Sequence, residues 1–106
     1  MAANSLIQEL TMDVLPPITA NGPLQLDGVV SMTIHNNGTV NATINGNFTI
    51  KPGSTFQIAS PNSYVIIEDT IRIAFASGAG TKLLEVAVLR MKGGIFSNYE
   101  KQPIFA

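Results

Sequence analysis

The chain has 106 residues, enough for one small domain with one modest core. Only 12% of its residues are charged, against a usual share of about 25%, and the formal net charge is −1. This balance provides no clustered basic face for phosphates, which argues against nucleic acid as a partner, and the lack of cysteine excludes disulfide frameworks, zinc–thiolate centres and thiol nucleophiles.

Asn, Thr, Ser and Gly take the place of the missing charges, with 9, 9, 7 and 9 copies. Between Asp27 and Glu68 the only formal charge is Lys51. No apolar run approaches the length of about 20 residues that a membrane-crossing helix needs. The first ten residues have no basic stretch and carry Glu9, so a signal peptide is not expected. Together these features point to a protein made and assembled inside a cell, or exported without a Sec signal, with no membrane partner.

Residues 1–20 read as an N-terminal arm. Ser5-Leu6-Ile7-Gln8 has the form of a capping box. Leu6, Ile7, Leu10 and Val14 fit one helical stripe that stops before Pro16-Pro17. An extended arm is the alternative, because one or two helical turns are marginal alone.

Residues 21–92 read as a β-domain. Leu24, Leu26, Val30, Met32 and Ile34 alternate with Gln25, Asp27, Ser31, Thr33 and His35, with Gly28 as a bend or bulge. Asn36-Asn37-Gly38 reads as a hairpin turn. Val40, Ala42 and Ile44 continue the inner face, Asn45-Gly46 turns the chain again, and Phe48 and Ile50 follow inward. After Pro52-Gly53, Phe56 and Ile58 extend the same face. This half is expected to be a β-meander whose even-numbered residues build the core.

Tyr64 to Ile67 is apolar on both parities, which predicts a strand covered on both faces. Glu68-Asp69 reads as a tight connection to a strand with Ile71, Ile73 and Phe75 inside. Gly78-Ala79-Gly80 turns the chain into residues 82–91, with Leu84, Val86 and Val88 on one face and Leu83, Ala87, Leu89 and Met91 on the other. Such a strand is either central or meets a partner. Residues 93–106 form a tail with Phe96, Tyr99 and Phe105, too apolar to be free, which must dock on its own domain or a neighbour. The fold predicted is all-β: a single antiparallel β-sandwich of seven or eight strands, jelly-roll-like in one variant.

Chemistry-bearing residues are sparse. His35 is the only histidine and has no carboxylate near it in sequence, so it reads as a solvated turn residue. Glu68-Asp69 followed by Arg72 reads as a turn with a local ion pair. No calcium-loop spacing, phosphate loop or nucleophile elbow occurs, and no catalytic residue, metal or cofactor is expected. Three N-x-[ST] triplets, starting at Asn37, Asn41 and Asn47, are products of an Asn/Thr-rich surface. That surface is the informative feature: Thr33, Thr39, Asn41, Thr43, Asn47, Thr49, Thr55 and Gln57 carry none of the Lys and Glu that usually block edge pairing. Being uncharged, it is cheap to desolvate against another polar surface.

The stretch Ile34 to Ile58, IHNNGTVNATINGNFTIKPGSTFQI, resembles segments of small structural proteins of tailed bacteriophages. These are head-decoration and fibre- or tail-adaptor proteins built on β-sandwiches. The resemblance covers about a quarter of the chain. It implies a virion component, assembled in the host cytoplasm, whose sheet faces and terminal arms contact neighbouring subunits; it assigns no functional residue.

The function expected from these readings is that of a non-enzymatic, self-associating structural protein. Its contacts would be other copies of itself or other virion proteins. Its interface would come from Leu6, Ile7 and Leu10 in the arm, Thr39, Asn41 and Thr43 on the Asn/Thr face, and Phe96, Tyr99 and Phe105 in the tail. The alternative is a glycan- or ligand-binding module with a concave patch joining Tyr64 or Tyr99 to amide side chains.

Overall fold

A computed structural model describes residues 10–60, 65–91 and 100–102. The described chain is all-β. Its strands are β1 (Leu10–Val14), β2 (Gly22–Asn36), β3 (Ala42–Ile44), β4 (Phe48–Ile50), β5 (Thr55–Ala59), β6 (Val65–Phe75), β7 (Leu84–Met91) and β8 (Glu100–Gln102). They form one sheet, with the order β1-β7-β2-β6-β3-β4; β5 pairs with β2, and β8 with β6. Every pairing is antiparallel except β6 with β8.

The long strand β2 organises the molecule. Its first part, Gly22 to Leu26, pairs with β6. Its last part, Ser31 to His35, lies between β5 and β7. The register shifts on both sides of Val29, and Gly28 adopts φ +61°. A bulge of this kind bends a strand and re-aims its side chains, and glycine takes the left-handed backbone without a Cβ clash. One strand therefore serves two layers. β6, β3 and β4 continue from its first half; β5, β7 and β1 flank its second.

The layers share a single core. Leu26, Ile44, Ile50, Ile71 and Ile73 come from the first, and Met32, Ile34, Phe56, Val86 and Val88 from the second. The sandwich is an open sheet folded across β2, with β1 at one end of the strand order and β4 at the other.

The period-2 reading holds for most of the core. Of the inner-face residues expected from sequence, Leu24, Val40 and Ile58 pack against the cluster while only partly buried. Val29 is buried in place of the expected Val30, because the bulge shifts parity by one there. Phe48, expected inside, is 43% exposed. Ile66 and Ile67 are both buried, so that part of β6 is covered on both faces as the sequence implied. β7 is central, between β1 and β2.

Three expectations need correction. The chain is not a meander: β2 does not pair with β3, nor β4 with β5, since each connection passes from one layer to the other. Asn36-Asn37-Gly38 is therefore a crossover and not a hairpin turn. Glu68 and Asp69 lie inside β6, where Leu26 opposes Asp69, and do not form a connection. Leu10 and Val14 stand on an extended strand and not on a helical stripe. The rest of that stripe, Leu6 and Ile7, lies outside the described residues.

The Asn45-Gly46 hairpin is as expected. Asn45 and Gly46 have φ of +53° and +74°, and the Asn47 amide donates to the Ile44 carbonyl at 3.1 Å. Two positive φ values are what a type I′ turn requires.

Candidate functional site

The outer face of the β1-β7-β2-β5 layer is the candidate surface. Residues directly opposite each other in a sheet share a face, so the register alone builds it. Met12 faces Leu89, Leu89 faces Ser31, and Ser31 faces Ala59. In the next row Val14 faces Ala87, Ala87 faces Thr33, and Thr33 faces Gln57. A third row joins Glu85, His35 and Thr55.

The first two rows are apolar at the β1 end, and the second runs on to the polar, uncharged Thr33 and Gln57 at the β5 end. Leu10, Met12 and Val14 are 41%, 63% and 79% exposed, so β1 turns its apolar side to solvent. Ala87 and Leu89 beside them are half-buried. Of the side chains in these rows, only Glu85 is formally charged. His35 is half-buried on this face, with Nδ1 2.9 Å from the Thr55 hydroxyl; it is a strand residue and not a solvated turn residue. The surface has two shallow depressions, of about 270 and 280 Å³. The first is lined by Ser31, Gln57, Ile58 and Ala59, the second by residues that include Val14, Thr33, His35 and Glu85.

On the other side of β1 the chemistry differs. Arg90 Nε lies 3.1 Å from Asp13 Oδ2, near enough for an ion pair though not aligned for a hydrogen bond. Leu15 packs against the core, and its amide donates to the Val86 carbonyl at 2.9 Å. Inward anchoring thus comes from Leu15 and the ladder to β7, which frees Leu10, Met12 and Val14 to face outward.

The sequence-predicted contact residues are dispersed. Leu10 is in β1, on the surface just described. Thr43 is on β3, half-buried, opposite Thr49 of β4 and Ala74 of β6. Its hydroxyl donates to the Ala74 carbonyl at 3.4 Å. Thr39 and Asn41 are exposed in the crossover after β2, where they hold the 76–83 loop. Thr39 and Thr81 exchange backbone and hydroxyl hydrogen bonds at 2.9 and 2.7 Å, and the Asn41 carbonyl accepts from the Ala76 amide at 2.9 Å. The Asn/Thr residues do not form one face: Thr33, Thr55 and Gln57 belong to one layer, Thr43 and Thr49 to the other, and Thr39, Asn41 and Asn47 to connections. Parity separates inside from outside but does not say which layer a strand joins. Leu6, Ile7, Tyr64, Phe96, Tyr99 and Phe105 lie outside the described residues.

Met12 and Leu89 were not singled out from the sequence as surface residues. A signal was present: Leu10, Met12 and Val14 alternate with Thr11 and Asp13, which is a strand pattern as much as a helical one.

Among the described residues, no three His, Asp or Glu side chains come together as a metal-binding group, and no helix is long and apolar enough to cross a membrane. No family model matches the chain, and no curated protein matches it.

Proposed function

We propose that the protein is a non-enzymatic structural subunit that associates with copies of itself and coats or joins a larger assembly. The role is that of a decoration, adaptor or fibre-associated component of a tailed-phage virion. The observation that carries this reading is the apolar side of β1, with Met12 63% and Val14 79% exposed at the end of a nearly uncharged face. Soluble monomers usually guard such an edge with Lys, Pro or a bulge. Among the described residues β1 carries no Lys, Pro or bulge, no strand pairs with its outer edge, and the surface beside it carries little charge to desolvate, which suits a surface covered in an assembly.

Sedimentation velocity from micromolar to millimolar protein tests the proposal. Reversible association that changes little with added salt is expected, because few charges meet at the contact. A monomer at every concentration would overturn the self-association at the centre of this reading.

A further inference from the structure

We infer that the free edge of β1 pairs with β1 of a second copy of the same chain, antiparallel, about a two-fold axis at Met12. This rests on the self-associating reading above and specifies where the contact is made.

The ladder with β7 decides which backbone groups are free. Leu15 is hydrogen-bonded to Val86, and the register then steps back through Asp13 opposite Val88 and Thr11 opposite Arg90. In an antiparallel ladder, hydrogen-bonded and non-hydrogen-bonded pairs alternate. Thr11, Asp13 and Leu15 therefore spend their backbone groups on β7. The amides and carbonyls of Leu10, Met12 and Val14 point the other way, and among the described residues no strand pairs with that edge.

Charge and register choose the occupant. With the axis at Met12, Met12 opposes Met12 of the second copy and Leu10 opposes Val14. All three outward-pointing residues are then in hydrogen-bonded pairs, and Asp13 opposes the uncharged Thr11. Moving the axis to Thr11 leaves Val14 outside the β1–β1 pairing. Moving it to Asp13 sets two carboxylates face to face, where like charges repel. The Met12 register alone among these matches every free edge group without opposing like charges. Because a two-fold axis here stands perpendicular to the sheet, the apolar side chains of both copies fall on one face and form a continuous stripe. The contact is isologous, so it closes at two subunits and leaves the other surfaces for further assembly.

The chain has no cysteine, so a single introduced thiol reports the register. Directly opposed residues of a hydrogen-bonded antiparallel pair have Cα atoms about 5.5 Å apart, within disulfide range. In this register two copies of Leu10 are four residues out of step, about 14 Å apart along the strand. Under mild oxidation, full-length Met12→Cys is expected to cross-link at least tenfold faster than Leu10→Cys or Phe48→Cys. Met12→Lys, checked for folding by circular dichroism, is expected to weaken association of the unmodified chain about tenfold or more. Equal cross-linking at all three positions in a chain that still self-associates would overturn this pairing and leave the structural-subunit reading standing. A monomer that cross-links nowhere would overturn both.

Discussion

The carboxamide of Asn36, at the end of β2, donates a 2.8 Å hydrogen bond to the carbonyl of Ile50, at the end of β4. These strands are not neighbours in the sheet. The same nitrogen donates to the Val40 carbonyl at 2.9 Å, and Oδ1 accepts from the Gly38 amide at 3.0 Å. The side chain is fully buried, and one amide ties the two layers together where the chain crosses between them.

Asn36→Leu, of similar size, removes all three bonds, taking a buried partner from the Ile50 carbonyl and part-buried ones from the Val40 carbonyl and the Gly38 amide. Each such group is worth about 1–3 kcal/mol, so a total loss of about 3 kcal/mol is expected, allowing for relaxation of the loop. Urea unfolding measures it. A loss below about 1 kcal/mol would show that water or a rearranged crossover replaces the amide.

Gly38 separates steric from conformational need. A Cβ there would sit 2.3 Å from the Thr81 carbonyl oxygen, which is backbone and cannot swing aside. The two loops are also joined by the Asn37 amide to the Leu83 carbonyl at 3.0 Å. Gly38→Ala is expected to destabilise by about 2 kcal/mol or more. At Gly22 the space is open and no positive φ is needed, so Gly22→Ala is expected to be neutral or stabilising by up to about 1 kcal/mol. Equal effects at both positions, in paired thermal melts, would contradict the close approach of the loops.

Phe48 and Phe56 meet edge to face, with ring centroids 4.7 Å apart and planes at 63°. Their burial differs greatly, at 43% and 9% exposed. Phe56→Ala is expected to cost about 3–4 kcal/mol, as for a core aromatic, and Phe48→Ala about 1 kcal/mol, mostly the lost ring contact. Chemical denaturation of the two variants checks the order, and a larger effect at Phe48 would refute it.

The Asp13–Arg90 pair is partly solvated, with side chains 43% and 30% exposed. Pairs of this kind contribute little, so Asp13→Asn is expected to change stability by less than about 1 kcal/mol, and by less again at high salt. Leu15→Ala removes apolar packing against the core and is expected to cost more, about 1–2 kcal/mol. Comparing both variants at low and high salt shows which group holds β1. A dominant, salt-sensitive effect at Asp13 would contradict anchoring by Leu15 and the ladder.

Much of this was legible in the residues because the side-chain period of a strand is local. The alternation from Leu24 to Ile34 placed Leu26, Met32 and Ile34 in the core, where they are fully buried or nearly so. Asn45-Gly46 announced its own turn, since few other residue pairs tolerate two successive positive φ values. The errors arose where local pattern and pairing part company. Gly28 was visible as an interruption, but only the paired strands show that it moves Val29 inward in place of Val30. Phe48 has the inward parity of its neighbours yet sits on the terminal strand β4, where no further strand covers it among the described residues. The candidate surface was half legible: the neutral polar residues stood out, but the apolar edge beside them did not.

The all-β class, the turns at 45–46 and 52–53, the inward side of most strands and the shortage of charge between Asp27 and Glu68 are properties of the residues alone. All of these depend on residue type and on neighbours one or two positions away. Which strands pair, that β2 belongs to two layers, and that Leu10, Met12 and Val14 line an exposed apolar strand on the same face as Ser31, Thr33 and Gln57 emerge with the folded chain. Those facts depend on pairings between residues far apart in the chain: Met12 meets Leu89, and Leu89 meets Ser31, through registers that no local period encodes.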